Sequence, residues 1–368
     1  MSRTEVTIVG AGMIGLTLAN RLAQAGIRVH LIEKNKPNVD VENSVDPVRV
    51  SAITLKSRDL LKSVCAWDLL TTQHVTPFSK ISAWIQATGA DIHFDSQDTG
   101  KKQLGFIVHN AALIQALWGL AEKNSLIDIA SELPPQVQNL MIGADGGRSE
   151  VREKFEFDYV ERSYGQRAIV ATVHTENPHH NTAYQSFLNT GPLGILPLHD
   201  PHRMSIVWSA DDNEADKLMA LSEAEFDRAL SNALSMKLGK ISLISMRTQF
   251  PLTMRHAKNY VKEGVVLIGD AAHTIHPLAG QGANLGFYEV RVLSQVLIDA
   301  FSKGKDLKAL SVLRSYEREC KFKNTAMLYA MQAFRSLFCH ECSVLITALS
   351  WGFGFFNQSH FFKKRMLL

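Results

Sequence analysis

The chain has 368 residues, of which 46% are hydrophobic and 20% charged, and a formal net charge of +3. That length holds two domains with a sizeable core, and the composition is ordinary for a soluble globular protein. The charge is too mild to argue for nucleic acid, and no basic run interleaved with aromatics occurs before the C-terminus.

Val6–Val9 is a short apolar strand that runs into Gly10-Ala11-Gly12-Met13-Ile14-Gly15, and a helical pattern continues to Ala25. Ile27–Ile32 is a second strand, ending at Glu33. No signal peptide is expected, because the βαβ unit begins within a few residues of Met1. G-x-G-x-x-G in such a unit, with an acid after the second strand, is the pattern of a dinucleotide site. Gly10 makes the tight turn, Gly12 lets backbone approach a pyrophosphate, and Gly15 allows close helix–strand packing. Glu33 is placed to bond the ribose hydroxyls of an adenosine. A glycine turn without a ligand is the poorer reading, since strand, helix and acid are all in place.

The charge-mixed stretch Asn35–Pro47 reads as a loop. Asn110–Lys123 reads as a helix, and a short proline-containing connection joins Ile127 to Leu140. Leu140–Gly143 is a strand end followed by Ala144-Asp145-Gly146-Gly147-Arg148-Ser149. Ile81–Phe94, Ala168–His174, Leu193–Leu198 and Met204–Trp208 alternate or run apolar, which suggests an antiparallel sheet. Leu221–Leu234 has the spacing of an amphipathic helix.

Val265–Ile268 reads as a buried parallel strand, followed by the small-residue segment Gly269–Gly286 and a helix to about Ala300. Asp270 can accept from a sugar hydroxyl. The glycines let backbone N–H groups approach a flat, electron-rich ring, and the helix N-terminus favours negative charge there. This is the chemistry a flavin needs. His273 and His276 lie in this loop without a set of metal ligands, so they are expected to orient and pack it, and no metal is expected. A helical tail, Leu310–Leu349, is expected to pack across both domains. Cys65, Cys320, Cys339 and Cys342 make no disulfide framework, as in a reducing cytosol, and the C-x-x-C spacing of Cys339 and Cys342 is read as packing. Val344–Phe356 falls short of the roughly 20 apolar residues that span a bilayer. Phe361-Phe362-Lys363-Lys364-Arg365 has the composition of a membrane-surface contact, although a solvated basic turn is the blander reading.

Both outer motifs together with Asp145-Gly146, in this order, resemble the class A flavoprotein monooxygenases, the family of para-hydroxybenzoate hydroxylase. Arg49-Val50-Ser51-Ala52-Ile53, Ile206-Val207-Trp208, Phe250-Pro251-Leu252 and His273–Gly282 look like the ubiquinone-biosynthesis hydroxylases, the UbiH/UbiF/VisC group. The similarity runs from about Val6 to Phe338. Within the group the chain resembles the VisC-like 2-polyprenylphenol hydroxylase branch. Relatives carry an additional hairpin where this chain has the short connection after Ile127.

The resemblance implies an α/β fold: a Rossmann-type FAD domain, an α+β substrate insert with an antiparallel sheet, and C-terminal helices. We assign residues 1–76, 103–160 and 254–310 to a discontinuous FAD domain, 77–102 and 161–253 to the substrate domain, and 311–368 to a helical region. It also implies FAD as cofactor and NAD(P)H as co-substrate, bound transiently without a second glycine motif. Asp270, beside Gly269, would hold the ribityl chain, and Asp145 would serve FAD and NAD(P)H. Arg49 would lie near the pyrophosphate, with a surface salt bridge as its alternative. Asn110 would be a polar neighbour of FAD. Pro277 would fix the loop against the ring. Backbone amides from Gly280 through Gln281, Gly282, Ala283 and Asn284 would stabilise charge on it. No side-chain acid or base is expected. The cofactor would carry the reaction through a C4a-hydroperoxide, in a pocket kept dry and apolar.

The implied substrate is a polyprenylphenol, with O2, and the implied location is cytoplasmic, peripheral to the inner face of the membrane. Contacts with other ubiquinone-biosynthesis proteins and a homo-oligomer are compatible with it. A hydroxylase of small soluble phenols is the nearest alternative. A flavin halogenase lacks its W-x-W-x-I-P motif here. A non-catalytic prenyl-protein escort of GDI type shares only the opening glycines.

Overall fold

The computed structural model describes residues 5–37, 49–133, 139–275 and 281–338. His276, Pro277, Gly280, Cys339, Cys342, Val344–Phe356 and the Lys363–Arg365 triplet lie outside them, as does the tail beyond Phe338.

The motif-bearing strands form one six-stranded sheet. Its order is β16 (Val261–Lys262), β17 (Val265–Leu267), β9 (Leu140–Gly143), β1 (Val6–Val9), β2 (Val29–Ile32) and β8 (Ile127–Ala130). Neighbours run parallel except β16 and β17. The strands are continuous apolar runs because helices cover the sheet. Helices α1 (Met13–Gln24), α3 (Asn110–Glu122) and α7 (Gln281–Ser302) share its core through Leu16, Leu113 and Leu293, none of which has exposed surface. A short helix α4 (Glu150–Lys154) follows β9, with Ser149 at its N-cap accepting from Arg152 N–H at 3.0 Å.

A nine-stranded sheet stands beside it. Its path is β18 (His273–Thr274), β15 (Thr248–Ala257), β10 (Tyr159–Thr175), β13 (Arg203–Asp211), β12 (Gly191–Pro197), β11 (Thr182–Leu188), β5 (Lys80–Ile85) and β6 (Asp91–Asp95), with β14 (Ile241–Leu243) pairing β10. The pairing is antiparallel as expected, except that β11 lies parallel to β5. No hairpin joins those two strands, so nothing local sets their relative direction.

Period-two alternation gives this sheet two different faces. Leu193, Ile195, Met204, Ile206 and Trp208 pack with helix α6 (Glu223–Ala233) and helix α5 (Asp212–Ala220). Pro192, Gly194, Leu196, Val207 and Ser209 face the other way, into a cavity. A capping box starts α6, where Ser222 N–H donates to Glu225 Oε2 at 3.0 Å. Helix α5 was not foreseen from the sequence.

A third, antiparallel sheet of β3 (Val50–Thr54), β7 (Gly105–His109) and β4 (Val75–Phe78) adjoins the other two. Helix α2 (Leu55–Ser63) leaves β3 from the N-cap Thr54. The long helix α8 (Leu310–Phe338) closes the fold. Tyr316 Oη donates to Leu267 O at 2.9 Å, and farther along Met327 and Leu328 pack against Met254 and Ile275. Helix α8 therefore touches both large sheets.

Helix α7 begins at Gln281, five residues before the helical pattern suggested by the sequence. Its glycines do not break it. A β-carbon on Gly286 would lie 2.6 Å from Ile14 Cδ1, so the bare backbone there lets α7 pack closely on α1.

Candidate dinucleotide and aromatic-substrate site

The three sequence motifs meet at the carboxyl ends of β1, β9 and β17. Gly10 adopts φ +102°, and a β-carbon there would lie 2.5 Å from Ala144 O. One on Gly15 would lie 2.0 Å from Gly10 O. Neither position tolerates a side chain. Gly12 differs, because a β-carbon there would meet nothing within 4 Å. Its bareness serves the open cavity that it lines.

Glu33 leaves the end of β2, and its Oε2 accepts from Ala11 N–H at 2.8 Å. The acid thus braces the glycine turn, and its Oε1 accepts from Asn35 N–H at 3.3 Å. Asp145 Oδ2 accepts from Val151 N–H at 3.1 Å, while its Oδ1 is buried with no partner. Asn110 Oδ1 is buried and unpartnered as well, next to His109, whose two ring nitrogens are in the same condition. Burial and the neighbouring His74 push the His109 pKa down to about 4. Arg49 lies one hydrogen bond away, its carbonyl accepting from Asn110 N–H at 3.0 Å, and its guanidinium rests 5.8 Å over the Phe250 ring. Unsatisfied buried polar atoms are costly without a ligand, so this set fits a polar cofactor.

Gly269 and Asp270 form the far lip. Asp270 opens onto the cavity, yet it stands in a cleft dense enough that burial raises its pKa above the ordinary range. Glu289 adds to that rise and His273 opposes it. Beneath the lip lies a network that the sequence reading missed. The Glu289 carboxylate is fully buried. It accepts from Gly269 N–H at 2.7 Å, from His273 Nε2 at 2.6 Å, and from the Asn324 side-chain amide of α8. Burial disfavours charge on His273, but Glu289 and Asp270 outweigh it and raise its pKa. Arg152, also missed, is 3% exposed and donates to Ala271 O at 3.1 Å and Gly147 O at 2.9 Å, joining the middle and last motifs.

Gly282 and Ala283, in the first turn of α7, line the cavity. The Asn284 side chain is engaged elsewhere: it accepts from Thr54 N–H at 2.9 Å and Ser57 Oγ at 2.8 Å, and donates to Ala52 O at 2.6 Å. That ties α7 to β3 and leaves only the Asn284 backbone for a ligand. Gln281 begins α7, whereas Pro277 and Gly280 lie outside the described residues.

The cavity measures about 580 Å³, in the range of small-molecule sites. Gly12, Ala144, Gly146, Asp270 and Gly282 form one end. Leu196, Val207, Phe250 and Leu252 form the other, on the outer face of the large sheet. Among the described residues no three His, Cys, Asp or Glu side chains gather to hold a metal ion.

The family model described as FAD binding domain matches residues 3–102 and 138–330. The chain is 34% identical over 357 residues to the 3-demethoxyubiquinol 3-hydroxylase of Escherichia coli (strain K12), covering 92% of this chain and 90% of that protein. It is 31% identical over 415 residues to the ubiquinone biosynthesis monooxygenase COQ6, mitochondrial, of Danio rerio, covering 95% and 85%. The crystal structure of p-nitrophenol 4-monooxygenase PnpA from Pseudomonas putida DLL-E4 superposes with a TM-score of 0.79 at 17% identity, covering 99% of this chain and 96% of that one. This likeness extends to the fold.

Two paired substitutions separate frame from site. Gly15→Ala drives a methyl into backbone and should destabilise the apoprotein by at least about 1–3 kcal/mol, whereas Gly12→Ala should melt like wild type and bind FAD more weakly; thermal melts and flavin titration check both. Glu289→Ala strands buried donors and should cost about 3–5 kcal/mol in denaturant unfolding. Asp270→Ala, which leaves the Glu289 hydrogen bonds in place, should stay folded and purify nearly colourless.

Proposed function

The chain belongs to the class A FAD-dependent monooxygenases of the ubiquinone-biosynthesis hydroxylase family, and on that premise we propose that it hydroxylates the ring of a polyprenylphenol intermediate of that pathway. One observation carries the reading: a single cavity joins a dinucleotide end to an apolar sheet wall. The enzyme family sets aside the escort-protein alternative. When bound, FAD supplies the oxygen-activating chemistry, with NAD(P)H as reductant in this family.

The chain's own residues would do the rest. Asp145 and Asp270 would bind the cofactor from opposite sides of the glycine turn. The open faces of Gly12 and Gly282 would admit it closely. Leu196, Val207, Phe250 and Leu252 would hold an aromatic ring and exclude water.

A small phenolic acid would call for a free cation. Among the described residues Arg255 is the cation that lines this wall, and it donates to both Glu161 oxygens, at 2.7 and 3.2 Å, while the nearby Arg49 guanidinium rests on the Phe250 ring. That engagement favours an uncharged prenylated substrate. We keep the VisC-like branch, a 2-polyprenylphenol hydroxylase, as our assignment. Expression in bacterial strains each lacking one ubiquinone hydroxylation step should restore ubiquinone in the strain that accumulates 2-polyprenylphenol. Rescue of a different strain would move the branch, and rescue of none would overturn the substrate class.

We also propose that the protein works in the cytoplasm at the inner face of the membrane. No described helix is long and apolar enough to cross a bilayer. Lys363, Lys364 and Arg365 are the surface contact we propose, worth about 1 kcal/mol each near anionic lipid and screened by salt. Replacing all three should abolish flotation with anionic liposomes at low salt while FAD content holds. Wild-type protein that ignores such liposomes would refute docking by this segment.

A further inference from the structure

On the cavity face of the large sheet, Gln185, Gly194 and Val207 stand in one row, Gln185 opposite Gly194 and Gly194 opposite Val207. A β-carbon on Gly194 would lie 3.3 Å from Gln185 Oε1. The Gln185 amide therefore lies over bare β12 backbone, in space that any side chain at position 194 would contest. Pro192, Leu196 and Val207 surround it with apolar surface on the cavity side. Among the described residues this amide has no side-chain hydrogen bond, whereas the Arg255 guanidinium, which lines the same cavity, is engaged by Glu161.

An amide in an apolar wall is a directional device. It offers one acceptor and two donors, so it can accept from a phenolic O–H or donate to a ring oxygen. Apolar neighbours supply contact area but little orientation, and a few placed polar groups fix the pose. We propose that Gln185, seated over Gly194, holds a ring hydroxyl of the substrate, a phenol or hydroquinone whose ring packs on Leu196 and Val207. This deepens the polyprenylphenol reading and rests on it. Gln185 then sets which ring carbon faces the cofactor end, and Gly194 is a glycine because that amide needs the room.

The test uses FAD-loaded enzyme and two probes: a short-chain prenylphenol and the matching prenylbenzene, which lacks the ring oxygen. Dissociation constants come from the change in flavin absorbance. Wild type should bind the phenol about tenfold more tightly than the arene. Gln185→Leu should bind both alike, with the arene unchanged, and Gly194→Val, which displaces the amide, should lose the same preference. A Gln185→Leu enzyme that still prefers the phenol overturns the assignment of Gln185 and leaves the function standing. A Gln185→Leu enzyme that loses FAD moves the amide to the cofactor and overturns the assignment as well. Wild type that responds to neither probe overturns the polyprenylphenol reading, and Gln185 with it.

Discussion

Glu289 places a carboxylate where no water reaches, and the loop after β17 and the helix α8 close around it. It holds the Gly269 N–H at the end of β17, the His273 ring in β18 and the Asn324 amide in α8. A buried carboxylate is tolerable only when hydrogen bonds and an opposite charge surround it, so each partner is constrained as tightly as the acid. Because His273 belongs to the large sheet and Gly269 lies just past β17 of the parallel one, this cluster also ties the two sheets together. Asp270 sits directly on that junction. Its position facing the cavity is inherited from groups buried beneath it.

The cavity follows from the same junction. A parallel sheet offers its strand ends, where glycine turns expose N–H groups; an antiparallel sheet offers a broad face, where alternate side chains make an apolar wall. Neither alone makes this site. Gly12 and Ala144 belong to the first geometry, Leu196 and Val207 to the second, and β3 lines the cavity with them, pinned by the Asn284 amide.

Sequence reading found what glycine and periodicity reveal. Gly10 and Gly15 announce themselves because no other residue fits where they stand, and β1 matches its expected bounds because four apolar residues end at that turn. The alternation in β12 and β13 was legible too, though not which face met helices and which met the cavity. Glu289 escaped notice although it left a trace: it lies on the same helical stripe as Leu285 and Leu293, and a charge on a buried stripe demands a partner. Arg152 left no comparable sign, since a basic residue near a helix end is usually solvated. The parallel pairing of β5 with β11 was invisible, because strands so far apart carry no turn that fixes their direction.

The route of the chain also constrains how the protein comes into being. The Gly10 turn closes against Ala144, and the lip across from it is held by Asn324 of α8. Until α8 emerges, the N-terminal glycine turn is an anion cradle with one wall missing. Low-affinity binding during synthesis cannot be rewarded by the full set of contacts, and loop-closure cost falls on pairings hundreds of residues apart. Cofactor capture therefore waits on α8, whose Asn324 secures the lip that faces the Gly10 turn.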